Sequence, residues 1–140
     1  MAADAHRLEA QVLTPEGSIF EGELFMLSTR TSVGEVGIRA RHAPMIARLV
    51  PCELRLHDSD SGEPDRYAQG EGWLEVYANR ARVLVAEAIR PAELDVASLR
   101  SRLDEARQRA EEAEEGSADE AAAEREVARC EAFIAIAEGA

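Results

Sequence analysis

From Leu8 to Ile89 apolar and polar residues alternate with a period of two, broken often by turn-forming residues. Leu8, Ala10 and Val12 share one parity, with Glu9 and Gln11 on the other, before a turn at Thr14-Pro15-Glu16-Gly17. Period-two runs of this kind predict half-buried β-strands, because successive side chains of a strand point to opposite faces. Further strands are predicted at Ser18–Phe20 (broken near Gly22), Glu23–Thr29, Ile46–Leu49, Glu53–His57, Arg66–Gln69, Trp73–Tyr77 and Arg82–Ala86. Asp58 to Asp65 reads as a polar hairpin loop and Ala78-Asn79-Arg80 as a tight turn. Between Glu23–Thr29 and Ile46 lies Val33-Gly34-Glu35-Val36-Gly37-Ile38-Arg39-Ala40-Arg41-His42-Ala43-Pro44. Its two glycines predict a bend or a close backbone approach, and Pro44 keeps the preceding residue out of the helical region. The stretch reads as a kinked strand entering a corner. Many short strands with no helix between them predict an antiparallel β-sandwich or flattened barrel over residues 1–90.

At Pro91 the period changes. Val96, Leu99, Leu103, Ala106, Ala110 and Ala113 recur at helical spacing, with Asp95 as N-cap and Gly116 as the left-handed residue that ends the helix. Ser117 and Glu120 have the spacing of a capping box, and Ala123, Val127, Cys130, Ile134 and Ala137 form a second stripe. Residues 91–140 are thus predicted to form an antiparallel two-helix hairpin joined by a turn of two or three residues. Its seam is rich in alanine, which buries roughly half or less of the area of a leucine. Such a hairpin is weakly held and points to mobility. The apolar cluster Phe133, Ile134 and Ile136 exceeds what a two-helix seam needs. It either packs on the sandwich or inserts between partner subunits.

The chain of 140 residues has a net charge of −12. Residues 1–90 carry 14 acids and 10 arginines, and residues 91–140 carry 14 acids and 6 arginines. That balance excludes phosphate-driven nucleic-acid binding and docking on anionic lipid through a basic patch. The absence of lysine reads as compositional bias. No apolar leader opens the sequence and no apolar run is long enough to span a bilayer, so Cys52 and Cys130 are expected to be reduced thiols in a cytoplasmic protein.

Candidate chemistry is sparse. The carboxylates of the last third fall on the polar faces of helices, where charge serves solubility. His6, His42 and His57 lack partners at metal-ligand spacing, and Cys52 has no neighbouring histidine. No phosphate-binding glycine loop is present. Trp73, Tyr77 and Phe133 are expected in core or hairpin packing. No cofactor or metal is expected. An acid–base pair of Glu35 and His42 is the only enzymatic reading that the residues offer.

Several stretches together resemble the epsilon-subunit family of bacterial F-type ATP synthases, homologous to the mitochondrial delta subunit. They are Leu13-Thr14-Pro15-Glu16-Gly17, Phe20-Glu21-Gly22-Glu23, Thr31–Ile38, His42-Ala43-Pro44, Gly72-Trp73-Leu74-Glu75-Val76, Ala88-Ile89-Arg90 and Glu93-Leu94-Asp95. The family patterns are G-E-x-G-I-L-P-G-H-A-P and G-G-F-L-E-V; here Arg39-Ala40-Arg41 replaces L-P-G, and Glu71-Gly72 replaces the paired glycines.

The resemblance implies a non-catalytic central-stalk subunit, with no active site of its own, that couples c-ring rotation to ATP synthesis. The implied partners are the gamma subunit, the c-ring and the alpha and beta subunits of the catalytic head. The implied position is peripheral, on the cytoplasmic face of the bacterial plasma membrane. Residues 1–90 would bind gamma and the c-ring, and residues 91–140 would be a regulatory arm able to block hydrolysis. Glu35 would face the c-ring and His42 would lie by gamma, with Arg39 and Arg41 added to that contact surface. Arg125 and Arg129 are the arm's candidates for contact with the head. Leu94 and Asp95 match the start of a nucleotide-binding segment, but Ser98 stands where that segment has its arginine, so the phosphate partner is missing. The alternative is a stand-alone acidic adaptor, a sandwich with a coiled-coil arm.

Overall fold

The alternating segment forms ten strands in the computed structural model, which describes residues 6–139. They are β1 (Leu8–Thr14), β2 (Gly17–Leu24), β3 (Met26–Thr31), β4 (Gly34–Arg39), β5 (Met45–Leu49), β6 (Cys52–His57), β7 (Asp65–Gln69), β8 (Gly72–Tyr77), β9 (Arg80–Val85) and β10 (Ala88–Ile89). Two compact units divide between Ile89 and Arg90.

In the first unit the strands are ordered β10-β7-β6-β3-β5-β8-β9-β1-β2, with β4 on the other side of β3. The order is continuous, but the link between β3 and β5 is a single pair, Thr31 opposite Leu49. The sheet therefore folds there into two layers, β10-β7-β6-β3-β4 and β5-β8-β9-β1-β2. Side chains from both meet in one cluster that includes Leu8, Val12, Leu27, Ile38, Leu49, Leu54, Leu74 and Val83, all fully buried. Alternation puts them there: Leu74 and Val76 point inward while Trp73, Glu75 and Tyr77 point out. The expected sandwich or flattened barrel is what forms.

Local boundaries differ from the pattern. β2 does not break at Gly22, which pairs with Ala10 in a continuous ladder. The Phe20 ring lies over this glycine, 3.3 Å from where a Cβ would stand, so the residue leaves room rather than ending the strand. The predicted strand Glu23–Thr29 is instead two pieces, divided at Phe25, whose N–H donates to the His57 carbonyl at 2.9 Å. There the chain crosses from one layer to the other. β4 is a regular six-residue strand rather than a kinked one. Gly37 pairs with Ser28 in an unbroken register, and a Cβ there would lie 3.3 Å from the Met26 sulfur. The sheet is not wholly antiparallel, because β1 and β9 run parallel, with the intervening strands as their crossover.

The second unit opens with a 3₁₀ turn at Pro91–Glu93 and contains α1 (Val96–Glu112) and α2 (Ala118–Gly139). Asp95 caps α1 by accepting from the Ser98 N–H at 3.1 Å. α1 ends earlier than predicted, because Ala113 already has extended backbone. Residues 113–117 form the connection, longer than the two or three expected. Gly116 supplies its left-handed turn, with φ 79°. The predicted capping box forms with a shift: the Glu120 N–H donates to Ser117 Oγ at 3.1 Å, while the Glu120 carboxylate accepts from the Gly116 N–H at 2.8 Å. Leu99, Leu103 and Ala106 of α1 and Ala123, Cys130, Phe133 and Ile136 of α2 are buried. No described helix is long and apolar enough to cross a membrane.

Candidate protein-contact site

The glycine-rich stretch has two ends with different structures. At one end Thr31 closes the β3–β4 hairpin: its hydroxyl donates to the Gly34 carbonyl at 2.9 Å and accepts from the Val33 N–H at 3.2 Å. Gly34 has φ 138°, a conformation that excludes most side chains. The tight turn projects Val33, which is 95% exposed. Glu35 follows, exposed, with Arg30 across the strand pair at 3.6 Å. Exposed pairs of this kind contribute little to stability, and Glu35 remains available to solvent.

At the other end β4 delivers Arg39, whose guanidinium stacks on the Phe25 ring 4.6 Å from its centroid. Arg41 adopts the left-handed region, φ 65°, so that the chain reverses, and the His42 N–H returns to the Arg39 carbonyl at 3.2 Å. A long-range contact pins this corner. The Arg41 N–H donates to Asn79 Oδ1 at 2.9 Å, and Asn79 Nδ2 donates to the Arg7 carbonyl at 2.8 Å. Asn79 belongs to the two-residue β8–β9 turn, where Ala78 and Asn79 both have positive φ (50° and 61°). The His42 ring nitrogen Nδ1 lies 2.7 Å from the Ala43 carbonyl, which implies that Nδ1 carries the proton.

Arg39, Arg41 and His42 are thus gathered at one end of β4, and Glu35 sits at the opposite end. With a rise of about 3.3 Å per residue, roughly 13 Å of strand separates Glu35 from Arg39. Glu35 and His42 do not form an acid–base pair.

The residues that sequence reasoning missed lie beside the corner. Trp73 and Tyr77, expected in packing, are 53% and 69% exposed, and Ile46 is 73% exposed. They share the outer face of β5 and β8, and Leu84 continues it on β9, opposite Trp73. Pro44, Met45, Ile46, Glu75, Val76 and Tyr77 line a shallow notch directly after His42. At its other end this face reaches the β3–β4 hairpin, where the Ser32 N–H donates to the Arg48 carbonyl at 3.0 Å. Exposed Glu75 and Arg48 lie among these apolar side chains, opposite Ile46 and Trp73. The signal was present in the sequence: Leu74 and Val76 belong inside, so Trp73 and Tyr77 share the outward parity.

Beneath this face, Thr29 Oγ1 donates to Gln69 Oε1 at 2.6 Å, and Gln69 Nε2 donates to the Val50 carbonyl at 3.0 Å. Cys52 Sγ lies 3.4 Å from both Thr29 Oγ1 and Gln69 Nε2. Burial pushes the Cys52 thiol up, against the lowering effect of the Thr29 hydrogen bond. A thiol held protonated is a packing element, not a nucleophile. The described residues contain no group of His, Cys, Asp and Glu able to hold a metal ion.

The remaining candidates lie in the second unit. The Asp95 carboxylate caps α1, and Leu94 precedes it, half-buried. Arg125 is exposed on α2. Arg129 donates to Glu126 at 3.2 Å and stacks over Phe133, 4.8 Å from the ring centroid.

The profile of the family described as "ATP synthase, Delta/Epsilon chain, beta-sandwich domain" matches residues 7–91. Among curated proteins, an ATP synthase epsilon chain from Nitrosococcus oceani is 39% identical over 127 residues, covering 89% of this chain and 87% of its own. One from Persephonella marina is 36% identical over 110 residues, covering 79% and 80%. Among solved structures, a chain of the Euglena gracilis mitochondrial ATP synthase, in a structure of OSCP, F1 and the c-ring, superposes with a TM-score of 0.77. That match covers 92% of this chain and 80% of the other at 23% identity, a likeness of fold.

Proposed function

This chain belongs to the ATP synthase delta/epsilon family, and from that membership we propose that it is a non-catalytic central-stalk subunit of a proton-translocating F-type ATP synthase. Its β unit grips the gamma subunit and meets the c-ring, passing rotation toward the alpha and beta subunits of the head. It is peripheral, on the cytoplasmic face of the bacterial plasma membrane. Glu35, on the projecting β3–β4 hairpin, contacts the c-ring, and His42, Arg39 and Arg41 contact gamma at the opposite end of β4. The helical unit is a regulatory arm that opposes hydrolysis, with Arg125 and Arg129 as its contacts to the head. Leu94 and Asp95 do not hold a nucleotide in this reading: the Asp95 carboxylate already caps α1, and Ser98 supplies no cation.

The observation that carries the reading is the exposed apolar face of Ile46, Tyr77 and Trp73. It begins at the His42 corner and ends at the hairpin that bears Glu35. Burying two such side chains contributes about 3 kcal/mol or more to association. A double substitution Ile46→Ser/Tyr77→Ser is therefore expected to weaken binding to gamma at least about 100-fold while the melting temperature holds. A wild-type chain that binds no gamma subunit in any buffer overturns the proposal. The arm is tested separately: the complex should hydrolyse ATP faster when residues 91–140 are deleted, and equal rates would remove its regulatory role.

A further inference from the structure

Arginines of the β unit divide into two groups. Arg7, Arg30, Arg55, Arg66, Arg80 and Arg82 each lie between 2.6 and 3.9 Å from a carboxylate oxygen. Arg39, Arg41 and Arg48 have no carboxylate partner among the described residues. The cause is visible in the sequence. No acid occurs between Glu35 and Glu53, the longest acid-free stretch of the chain, and this stretch holds Arg39, Arg41, His42 and Arg48. A chain with a net charge of −12 is thus interrupted by one basic segment.

The fold concentrates two of these three arginines. The His42 N–H donates to the Arg39 carbonyl at 3.2 Å, so Arg39 and Arg41 stand at the first and third positions of one tight turn. Both are exposed. The Arg39 guanidinium is laid over the Phe25 ring, and the Arg41 N–H is held by Asn79 Oδ1. Arg48 stands apart, on β5 opposite Trp73. A guanidinium matches a carboxylate through two parallel hydrogen bonds, and one that is already positioned loses less side-chain freedom on pairing.

We propose that Arg39 and Arg41 set the charge of the surface that docks at this corner: the gamma subunit presents a short acidic segment there, with a carboxylate for each guanidinium. This rests on the reading of gamma as the partner and adds the chemistry its surface must present. A short acidic segment meets only the basic turn. An extended polyanion, such as a nucleic acid or an anionic membrane, would also meet the acids that dominate the rest of the chain. The same imbalance disfavours other docking orientations, because acid then faces acid.

The chain contains no lysine, which permits a direct test. In Arg39→Lys/Arg41→Lys the charge is kept and two amines are introduced, and a zero-length carbodiimide joins an amine only to a carboxylate that it touches. With purified gamma subunit this variant should give a cross-linked product whose peptides join residues 39–41 to an acidic stretch of gamma. Arg55→Lys/Arg66→Lys, the same exchange on β6 and β7, should give none at its substituted positions. Affinity supplies a second readout. Arg39→Gln/Arg41→Gln should bind gamma about tenfold more weakly than wild type in about 0.1 M NaCl. The gap should close to about twofold or less in about 1 M NaCl, where the screening length falls from about 10 Å to about 3 Å. Arg55→Gln/Arg66→Gln, with the same net charge, should bind as wild type does. A wild-type chain that binds no gamma overturns the reading of the partner, and this inference with it. Where the complex forms, the inference alone is overturned by a lysine variant that binds gamma without cross-linking at the turn, or by a glutamine variant of wild-type affinity. A gap that persists in about 1 M NaCl also overturns it, since the arginines then act by packing.

Discussion

Asn79 ties three parts of the β unit together, and its removal has a calculable cost. Asn79→Ala deletes the acceptor of the Arg41 N–H and the donor to the Arg7 carbonyl, and leaves a Cβ-bearing residue at φ 61° without a local hydrogen bond to favour it. The Arg41 bond is exposed, so water substitutes for part of it and its loss costs about 0.5 kcal/mol. The Arg7 bond is partly buried and is worth about 1 kcal/mol. Alanine in the left-handed region adds about 1 kcal/mol, because its Cβ crowds the following carbonyl. The sum is about 2.5 kcal/mol, which corresponds to a fall in Tm of roughly 10 °C or more. Urea unfolding followed by circular dichroism measures it. Asn79→Gly separates the terms, since glycine relieves the backbone cost and still lacks both hydrogen bonds, so it should recover about 1 kcal/mol relative to alanine. Amide exchange at Arg41 and His42 should rise in both variants. An Asn79→Ala protein within about 0.5 kcal/mol of wild type, or one no less stable than Asn79→Gly, would refute this account of the corner.

Gly72→Ala should be more damaging than its size suggests, because a Cβ would lie 1.9 Å from the Leu84 carbonyl oxygen and 2.8 Å from the Val85 Cα. Both neighbours are backbone, so β8 and β9 must move apart, at a cost of about 3 kcal/mol or more read from urea unfolding; a loss under about 1 kcal/mol would contradict the packing. His57 should give the stability a pH dependence. Burial, then the neighbouring Arg55 guanidinium, hold its imidazole below the ordinary 6.5, while the unfolded chain titrates near that value. As pH falls past about 6.5 the unfolded state takes up the proton first, so stability present above that pH is lost on acidification. His57→Gln should flatten the stability profile below pH 6.5, and an unchanged slope would assign it to other groups.

The sandwich was legible because its core follows a strict parity. Leu8, Ala10 and Val12 in β1 and Leu74 and Val76 in β8 lie on one side of their strands in sequence and in space. What parity does not carry is partnership. The parallel pairing of β1 with β9 and the crossing between layers at Phe25 arise from contacts between residues far apart in the chain. The glycines misled for a related reason. Gly22 and Gly37 accommodate a Phe20 ring and a Met26 sulfur rather than a bend, which only the folded neighbourhood reveals. The same holds for the corner, whose Asn79 anchor lies 38 residues from Arg41.

Trp73 and Tyr77 point outward on the parity of β8, although large aromatic side chains more often contribute to a core. Their exposure is not a packing defect, since Leu74, Val76, Val83 and Leu49 already close the core beneath them. Nor is it needed for the strands, whose ladders are complete across β5, β8 and β9. These side chains serve neither core nor ladder, and on the outer face they stand beside Ile46, Glu75 and Arg48. The alanine seam of the hairpin reverses this logic. Too little apolar surface suggests weakness, but the Arg102–Glu126 pair joins the two helices in a way that hydrophobic spacing does not show.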